Sequence, residues 1–348
     1  MTETMLAAVK TKPVSESIKV MKVPRPEPVA GEVLIRVRIA SICGTDVHIH
    51  NWDEWAQARI KPPLIQGHEF AGEVVELGPN TSQIQVGDYV SAEGHIACGT
   101  CYQCRTGQSH ICPNVRIIGV DRDGAFAEYV TVPEGNVIIN PSNLSLEMAT
   151  IQDPFGNSVQ TVFSADVPGN YVAIFGLGPT GLMSVALCRA VAAAKIFAIG
   201  HKNEYRMSLA KELGADLVLR SSSDLPAAID EETDGRGLDH VLEMSGSRDA
   251  FNLGLRVLRA GGSMHVLGIY PAPFTVDVSS DIVTKGVSVY GIHGRHMYED
   301  WFRMAGLLTS GRLNLKPLIT HRFPFEDFLD AMEVMRSGNC GKVVLYME

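Results

Sequence analysis

No stretch of the 348-residue chain stays apolar for the roughly 20 residues that a membrane-spanning helix needs. The nearest candidate, Val172 to Cys188, is broken by Gly176, Gly178, Pro179 and Gly181. Basic residues are in deficit: 30 Lys and Arg stand against 39 Asp and Glu, a formal charge of −9. Phosphate contacts require a basic face, which argues against nucleic acid as the main partner. The amino-terminal Met-Thr-Glu-Thr-Met-Leu has neither the basic start nor the apolar stretch of a secretory signal, so a cytoplasmic location and no membrane partner are expected. Internal repeats and low-complexity segments are absent. What remains is 45% hydrophobic and 20% charged, the profile of a folded protein, and long enough for two domains.

Cysteine is sparse but unevenly spread. Of seven, Cys98, Cys101, Cys104 and Cys112 fall within fifteen residues, while Cys43, Cys188 and Cys340 stand alone. In a reducing compartment such a cluster reads as a metal site before it reads as disulfides. The spacing Cys98-x2-Cys101-x2-Cys104-x7-Cys112 suits a closed tetrahedral zinc shell with a structural role. An iron–sulfur cluster is the alternative, and the final gap of seven residues speaks against it.

Up to about residue 155 the chain alternates strand-like runs, Val33–Ile39, Ala71–Leu77 and Phe126–Val132, with Gly and Pro turns. This part reads as all β, a barrel-like sheet. Beyond it, Tyr171–Phe175 is a short apolar strand, followed by a glycine loop, a helix from about Pro179 to Ala193, a strand at Ile196–Ile199 and a helix at Asn203–Leu213 ending at Gly214. Strands alternating with helices imply parallel βαβ units in a doubly wound sheet. Past Gly291 the order is helix, strand, helix, strand.

Gly176-Leu-Gly178-Pro179-Thr180-Gly181 fits G-x-G-x-x-G, directly after a strand and opening a helix. In that context the first glycine permits the turn, the second lets backbone approach a pyrophosphate, and the third lets helix and strand pack. A plain glycine turn is the alternative. The acidic residue expected about 20 positions on, which would hold the ribose, is replaced by Gly200-His201-Lys202, with Arg206 one helical turn further. That set tolerates or attracts a 2′-phosphate, so NADP is favoured, or both cofactors are used. Otherwise His201 and Lys202 are solvated loop residues.

Cys43-Gly-Thr45-Asp-x-His48 and Gly67-His68-Glu69 are each weak signals. Cys43 could be a small buried residue and His68 an internally bonded one. Together they offer thiolate, imidazole and carboxylate to a catalytic zinc with an open position. In their order along the whole chain, these motifs resemble those of the zinc-dependent medium-chain dehydrogenases, and most closely their threonine-oxidising branch. The likeness to that branch rests on Cys43 to His48, Trp52 to Gln57, Arg59 to Pro63, His95 to Gly99, Gly156 to Val159, and Gly291 to His296 with Trp301.

The resemblance implies a GroES-like β-barrel catalytic domain at 1–155 with a zinc lobe at 95–115. A Rossmann nucleotide-binding domain follows at 156–295, and 296–348 return to the catalytic domain. It also implies a small-molecule alcohol substrate, two zinc ions per chain and a homotetramer, with a dimer as the alternative, built through edge strands around 262–291. Cys43, His68 and Glu69 are the implied catalytic ligands. Asp153 stands where the branch has Glu, its arm shorter by about 1.5 Å, which puts direct ligation in doubt. Thr45 and His48 are the implied proton relay, although Thr45 could cap its helix and His48 lie exposed. His95 is a candidate substrate contact, and Arg295 a candidate carboxylate clamp, interface or cofactor residue. His50 and Cys340 carry no assigned chemistry and are expected at the surface and in a loop, and Cys188 in a helix core.

The implied reaction is oxidation of L-threonine at C3 to 2-amino-3-oxobutanoate with hydride transfer to NAD(P). The same chemistry on a polyol, diol or sugar alcohol is the alternative. A zinc-independent quinone or enone reductase, or a non-catalytic nucleotide-binding protein, is opposed by the intact Cys43, His68 and Glu69.

Overall fold

The strand Glu32–Ser41 organises the first of two units into which the chain divides. The structure is a computed structural model describing residues 3–347; Glu348 and the first two residues of the amino-terminal segment read above lie outside the described residues. Unit one comprises Met1–Pro154, His296–Thr309 and Ile319–Glu348, and unit two Phe155–Arg295 and Ser310–Leu318.

In unit one, a seven-stranded sheet runs in the order Val137–Ile139, Tyr89–Ala92, Glu69–Leu77, Glu32–Ser41, Lys342–Tyr346, Ile319–Pro324, with Tyr129–Pro133 also paired to Glu32–Ser41. Strand Glu32–Ser41 lies antiparallel to Glu69–Leu77 and to Lys342–Tyr346, and its last residue, Ser41, sits opposite Glu69 on one side and Val344 on the other. This register brings the end of one strand, the start of a second and the middle of a third to one place. Val33, Ile35 and Val37 enter a core shared with Phe126 and Phe328, whose rings meet edge to face at 5.0 Å. Each such buried aromatic contributes about 2–3 kcal/mol of transfer free energy.

The first 155 residues are not all β. Helices Gly44–Asn51, Glu54–Arg59 and Leu146–Thr150 interrupt the strands. They are short and lack the long apolar periodicity that marks a helix in sequence; end contacts hold them instead. Asp53 caps Glu54–Arg59 by accepting from Ala56 N–H, and Ser145 caps Leu146–Thr150 by accepting from Met148 N–H.

Unit two carries a six-stranded sheet in the order Leu217–Arg220, Lys195–Gly200, Tyr171–Phe175, Leu238–Glu243, Leu258–Val266, Ser288–Gly291. Every pairing is parallel. The chain winds outward from Tyr171–Phe175 in one direction and then the other, so the topological switch point lies between Tyr171–Phe175 and Leu238–Glu243. Among the described residues no helix is long and apolar enough to cross a membrane.

Candidate active site and metal centres

Cys43 is the N-cap of helix Gly44–Asn51, in extended conformation, and its N–H donates to Asp46 Oδ2 at 2.9 Å. That bond fixes the first turn, so the cap is made by Asp46 and not by Thr45. Burial pushes the Asp46 carboxyl up to about 6 against the pull of His68 and of the Cys43 N–H. Gly67 holds the next donor in place: its φ is +93°, and a Cβ there would lie 2.6 Å from the Phe126 ring. His68 follows, and Glu69 begins the strand opposite Ser41.

Cys43, His68 and Glu69 each offer a ligand atom, all within 4.8 Å of one another. His68 Nδ1 and Glu69 Oε1 are buried without a hydrogen-bond partner. Burial works against a charged His68, but the Cys43 sulfur, Asp46 and Asp153 outweigh it and hold the ring up at about 10. The set is therefore built for positive charge, and its sulfur, nitrogen and oxygen donors are those zinc takes.

The other oxygen of Glu69 is held from behind. Glu69 Oε2 accepts from Ser41 Oγ and from Lys342 Nζ, and Lys342 also donates to Ile42 O at 2.9 Å. Glu69 and Lys342 are both almost fully buried. Burial alone would lower Lys342, yet Glu69 and Cys43 keep its ammonium above the ordinary lysine range.

The four-cysteine lobe is built locally. Its sulfurs all lie within 4.8 Å of one another, with Cys101 3.4 Å from Cys104 and 3.8 Å from Cys112. Tetrahedral corners about 2.3 Å from a single zinc are about 3.8 Å apart, so the lobe fits one ion and not a cluster. Donation from the Thr100 N–H and hydroxyl draws Cys98 down to about 5. Cys101 is pushed up to about 11 by burial and its sulfur neighbours, despite the Cys104 N–H. Without a cation the four sulfurs cannot all be thiolates.

In unit two, the glycine loop explains itself sterically. Gly176 has φ +94°, and a Cβ on Gly181 would lie 1.9 Å from Gly176 O. Gly178 caps helix Pro179–Ala190 with open space beside it, leaving Pro179 at the first helical position and Thr180 in the first turn. A pocket of about 490 Å³ at the switch point is lined by Gly176, Gly178, Gly200, His201, Lys202, Arg206 and Ser221–Ser223. Met207 packs against Gly200, where a Cβ would meet its side chain at 2.6 Å.

Residues 29–142 match the alcohol dehydrogenase GroES-like domain, and 179–310 match the zinc-binding dehydrogenase family. The chain is 47% identical over 350 residues to the L-threonine 3-dehydrogenase of Pyrococcus horikoshii, covering 100% of both chains. It is 52% identical over 317 residues to that of Caldanaerobacter subterraneus subsp. tengcongensis, covering 90% of this chain and 91% of the relative. The chain belongs to the zinc-binding dehydrogenases. Its fold is similar to the Sinorhizobium meliloti zinc-binding dehydrogenase bound to NADP, at TM-score 0.89 and 29% identity over 99% of each chain.

This zinc-dependent dehydrogenase places the remaining candidates as follows. Thr45 Oγ1 is 3.8 Å from Cys43 Sγ, and His48 is exposed with Nδ1 on the Asp53 carboxylate. Asp153 does not lie within 4.8 Å of all three catalytic donors; it groups with Glu93 and His95. Arg295 is buried in unit two, its stem filling the space that a Cβ on Gly156 would need. His50, expected at the surface, is buried with both ring nitrogens unpartnered, because the helix turns it inward beside Ile49. Cys188 lies in the core of its helix, and Cys340 sits in a connection yet is fully buried.

Sequence reasoning missed Glu93, Asp46 and Lys342. Glu93 and Lys342 are charged residues in largely apolar runs, Tyr-Val-Ser-Ala-Glu93 and Lys342-Val-Val-Leu, and that contrast was the available signal; Asp46, in Gly-Thr-Asp46-Val-His, carried none.

Proposed function

We propose that this dehydrogenase oxidises L-threonine at C3 to 2-amino-3-oxobutanoate, with two zinc ions per chain and a nicotinamide dinucleotide as hydride acceptor. The observation that carries the reading is the convergence of Cys43, His68 and Glu69 in one buried set, in a chain alike from end to end to L-threonine 3-dehydrogenases. Cys43, His68 and Glu69 would hold a zinc ion that supplies Lewis acidity, and the glycine-loop pocket would hold the nicotinamide dinucleotide that supplies hydride-accepting chemistry.

The protein's part is proton handling and binding. Thr45 hydroxyl, beside Cys43, takes the proton that the alcohol must lose. His48 releases it to solvent: with Nδ1 committed to the Asp53 carboxylate, Nε2 is the exchanging atom. His95 meets the substrate, and Arg295 is the candidate carboxylate clamp. Asp153 acts beside His95 and not as a direct zinc ligand. Cys98, Cys101, Cys104 and Cys112 hold the structural zinc.

NADP is the preferred cofactor. The pocket presents His201, Lys202, Arg206 and the Ser221–Ser223 hydroxyls where a 2′-phosphate would need donors. Glu204, which would repel it, is paired with Arg220. Asp249 also lines the pocket, 3.8 Å from Arg248. The clustering of Cys98, Cys101, Cys104 and Cys112 as a metal-type set supports a reducing cytoplasm. The exposed edge strand Ser288–Gly291, with Val289 and Tyr290 uncovered, supports self-association to a homotetramer.

The second reading, the same chemistry on a polyol or diol, is favoured by the departure at Asp153 from the Glu that the resemblance implies there. Initial rates of the zinc-replete enzyme on L-threonine and on a polyol and diol panel, each with NAD and NADP, decide between them. Strong turnover of L-threonine alone is expected, faster with NADP. Turnover of polyols alone would replace the reading, and a zinc content of one per chain would point to a role without catalytic metal.

A further inference from the structure

Glu93 closes the strand-like run Tyr89–Ala92 as a fully buried carboxylate. It receives three N–H donors: the His95 backbone N–H at 2.9 Å and the His95 ring Nδ1 at 3.0 Å on Oε1, and the Trp301 indole Nε1 at 2.8 Å on Oε2. Trp301 is itself 1% exposed and comes from helix Glu299–Thr309, more than 200 residues away in sequence. The backbone from Glu93 to His95 is pinned as well: Asn136 Nδ2 donates to Glu93 O at 2.8 Å and His95 O at 2.9 Å. A Cβ on Gly94, between them, would lie 3.2 Å from Asp153 Oδ2, a tight approach, and 3.5 Å from His68 Cβ, an ordinary contact. The Glu93–His95 segment thus abuts the catalytic donor set, and the Glu93, His95 and Asp153 ligand atoms lie within 4.8 Å of one another.

We infer that Glu93 is a positioning residue, locked by Trp301, which fixes the ring orientation and tautomer of His95 and through it sets selectivity for a 2-amino-3-hydroxy acid over a polyol. A carboxylate only accepts, so the His95 nitrogen that faces it must carry hydrogen. Three donors to one buried carboxylate leave the imidazole a single orientation, and the backbone bonds prevent the segment from re-registering. The head group of an amino acid requires a fixed polar partner; a polyol, which hydrogen-bonds by hydroxyls alone, can rotate to suit a loose one. This selectivity rests on the threonine reading above, whereas the fixing of His95 does not.

The test compares zinc-replete wild type, Glu93→Gln and Trp301→Phe. Gln places an NH2 group in the clamp, which cannot serve both the ring and the indole; Trp301→Phe removes one lock and keeps the carboxylate. The imidazole is read directly by ¹⁵N spectra of histidine-labelled enzyme, with the His95 signals assigned by their loss in His95→Asn. The expected result is an Nδ1–H tautomer in wild type that shifts or becomes mixed in Glu93→Gln. With it, KM for L-threonine rises about tenfold, as loss of an outer orienting partner commonly costs, while kcat for L-threonine and the weak residual rate on a diol stay within about threefold. Trp301→Phe moves the same quantities in the same direction by less. An unchanged His95 spectrum in Glu93→Gln overturns the inference, as does an altered spectrum with an unchanged KM for L-threonine. If wild type does not turn over L-threonine yet the His95 spectrum changes in Glu93→Gln, the positioning role stands and the substrate reading falls.

Discussion

The two metal-receptive sets of the first unit are built by opposite means. Cys98, Cys101, Cys104 and Cys112 are brought together by turns within fifteen residues, and three of the four side chains are partly exposed. Cys43, His68 and Glu69 come from separate segments joined by strand register, and His68 and Glu69 are buried. The lobe is four chemically equal donors with a closed shell, while the second set mixes sulfur, nitrogen and oxygen and leans on Lys342. A closed local shell can hold structure and little else. On the proposed reading, the mixed set, with three donors, would keep a position for a substrate oxygen, and it depends on strand register to aim it.

The largest expected effect lies in the mixed set. Cys43→Ala should lower kcat/KM by about a thousandfold or more, because several kcal/mol of metal-derived stabilisation is lost. Metal analysis of the same variant should fall from two zinc per chain to one, with the melting temperature little changed. A retained second zinc with full activity would place catalysis elsewhere.

Next is the support behind that set. Lys342→Met leaves the Glu69 charge buried without its partner and should destabilise the protein by about 3–5 kcal/mol in urea unfolding. Adding Glu69→Gln to that variant should recover part of the loss, which a purely steric role for Lys342 would not allow.

His265, in the second unit, sharpens the contrast with His68. It is buried with hydrogen bonds to Ser164 and Ser263 at 2.7 and 2.8 Å, and burial with His240 nearby pushes it down to about 4. The unfolded chain takes up that proton near 6.5 and the folded chain only near 4, so stability falls as pH drops through this window. The loss amounts to at most about 3 kcal/mol. His265→Asn should flatten this acid limb in urea titrations between pH 6.5 and 4. His68, with anionic neighbours instead of hydroxyls, shifts the opposite way, which is why one histidine invites a cation and the other a stable neutral ring.

The smallest effect on turnover is expected in the lobe. Cys104→Ser should remove one zinc per chain and open 98–112 to proteolysis, since such a shell folds with its metal. Its kcat/KM should fall by less than about tenfold, since the lobe supplies no open coordination position to the reacting oxygen. A thousandfold loss would mean that the lobe and the mixed set are coupled.

Much of this was legible in the order of residues. The lobe was readable because its spacing alone brings the sulfurs together, and the glycine loop because a strand, a turn and a helix follow one another without a gap. The donor triad was suggested by resemblance, since Cys43 and His68 mean nothing as neighbours until strands Glu32–Ser41 and Glu69–Leu77 pair. The short helices between residues 44 and 59 escaped notice because end contacts, not periodicity, hold them. His50 was misplaced because one histidine in a polar helix does not reveal which face is turned inward.

By itself the sequence determined the parallel βαβ order, the dinucleotide loop with its basic departure at Gly200-His201-Lys202, and the closed cysteine shell. The loop and the shell depend on contacts between residues near in sequence, and the strand–helix order on local patterns. Tertiary structure alone decided that Lys342 neutralises Glu69 across 273 residues and that Trp301 locks Glu93 across 208. It also decided that Asp153 sits with His95. Those pairings follow from strand register and packing, which bring together buried charges that no local pattern announces, and burial makes each charge depend on the partner it meets.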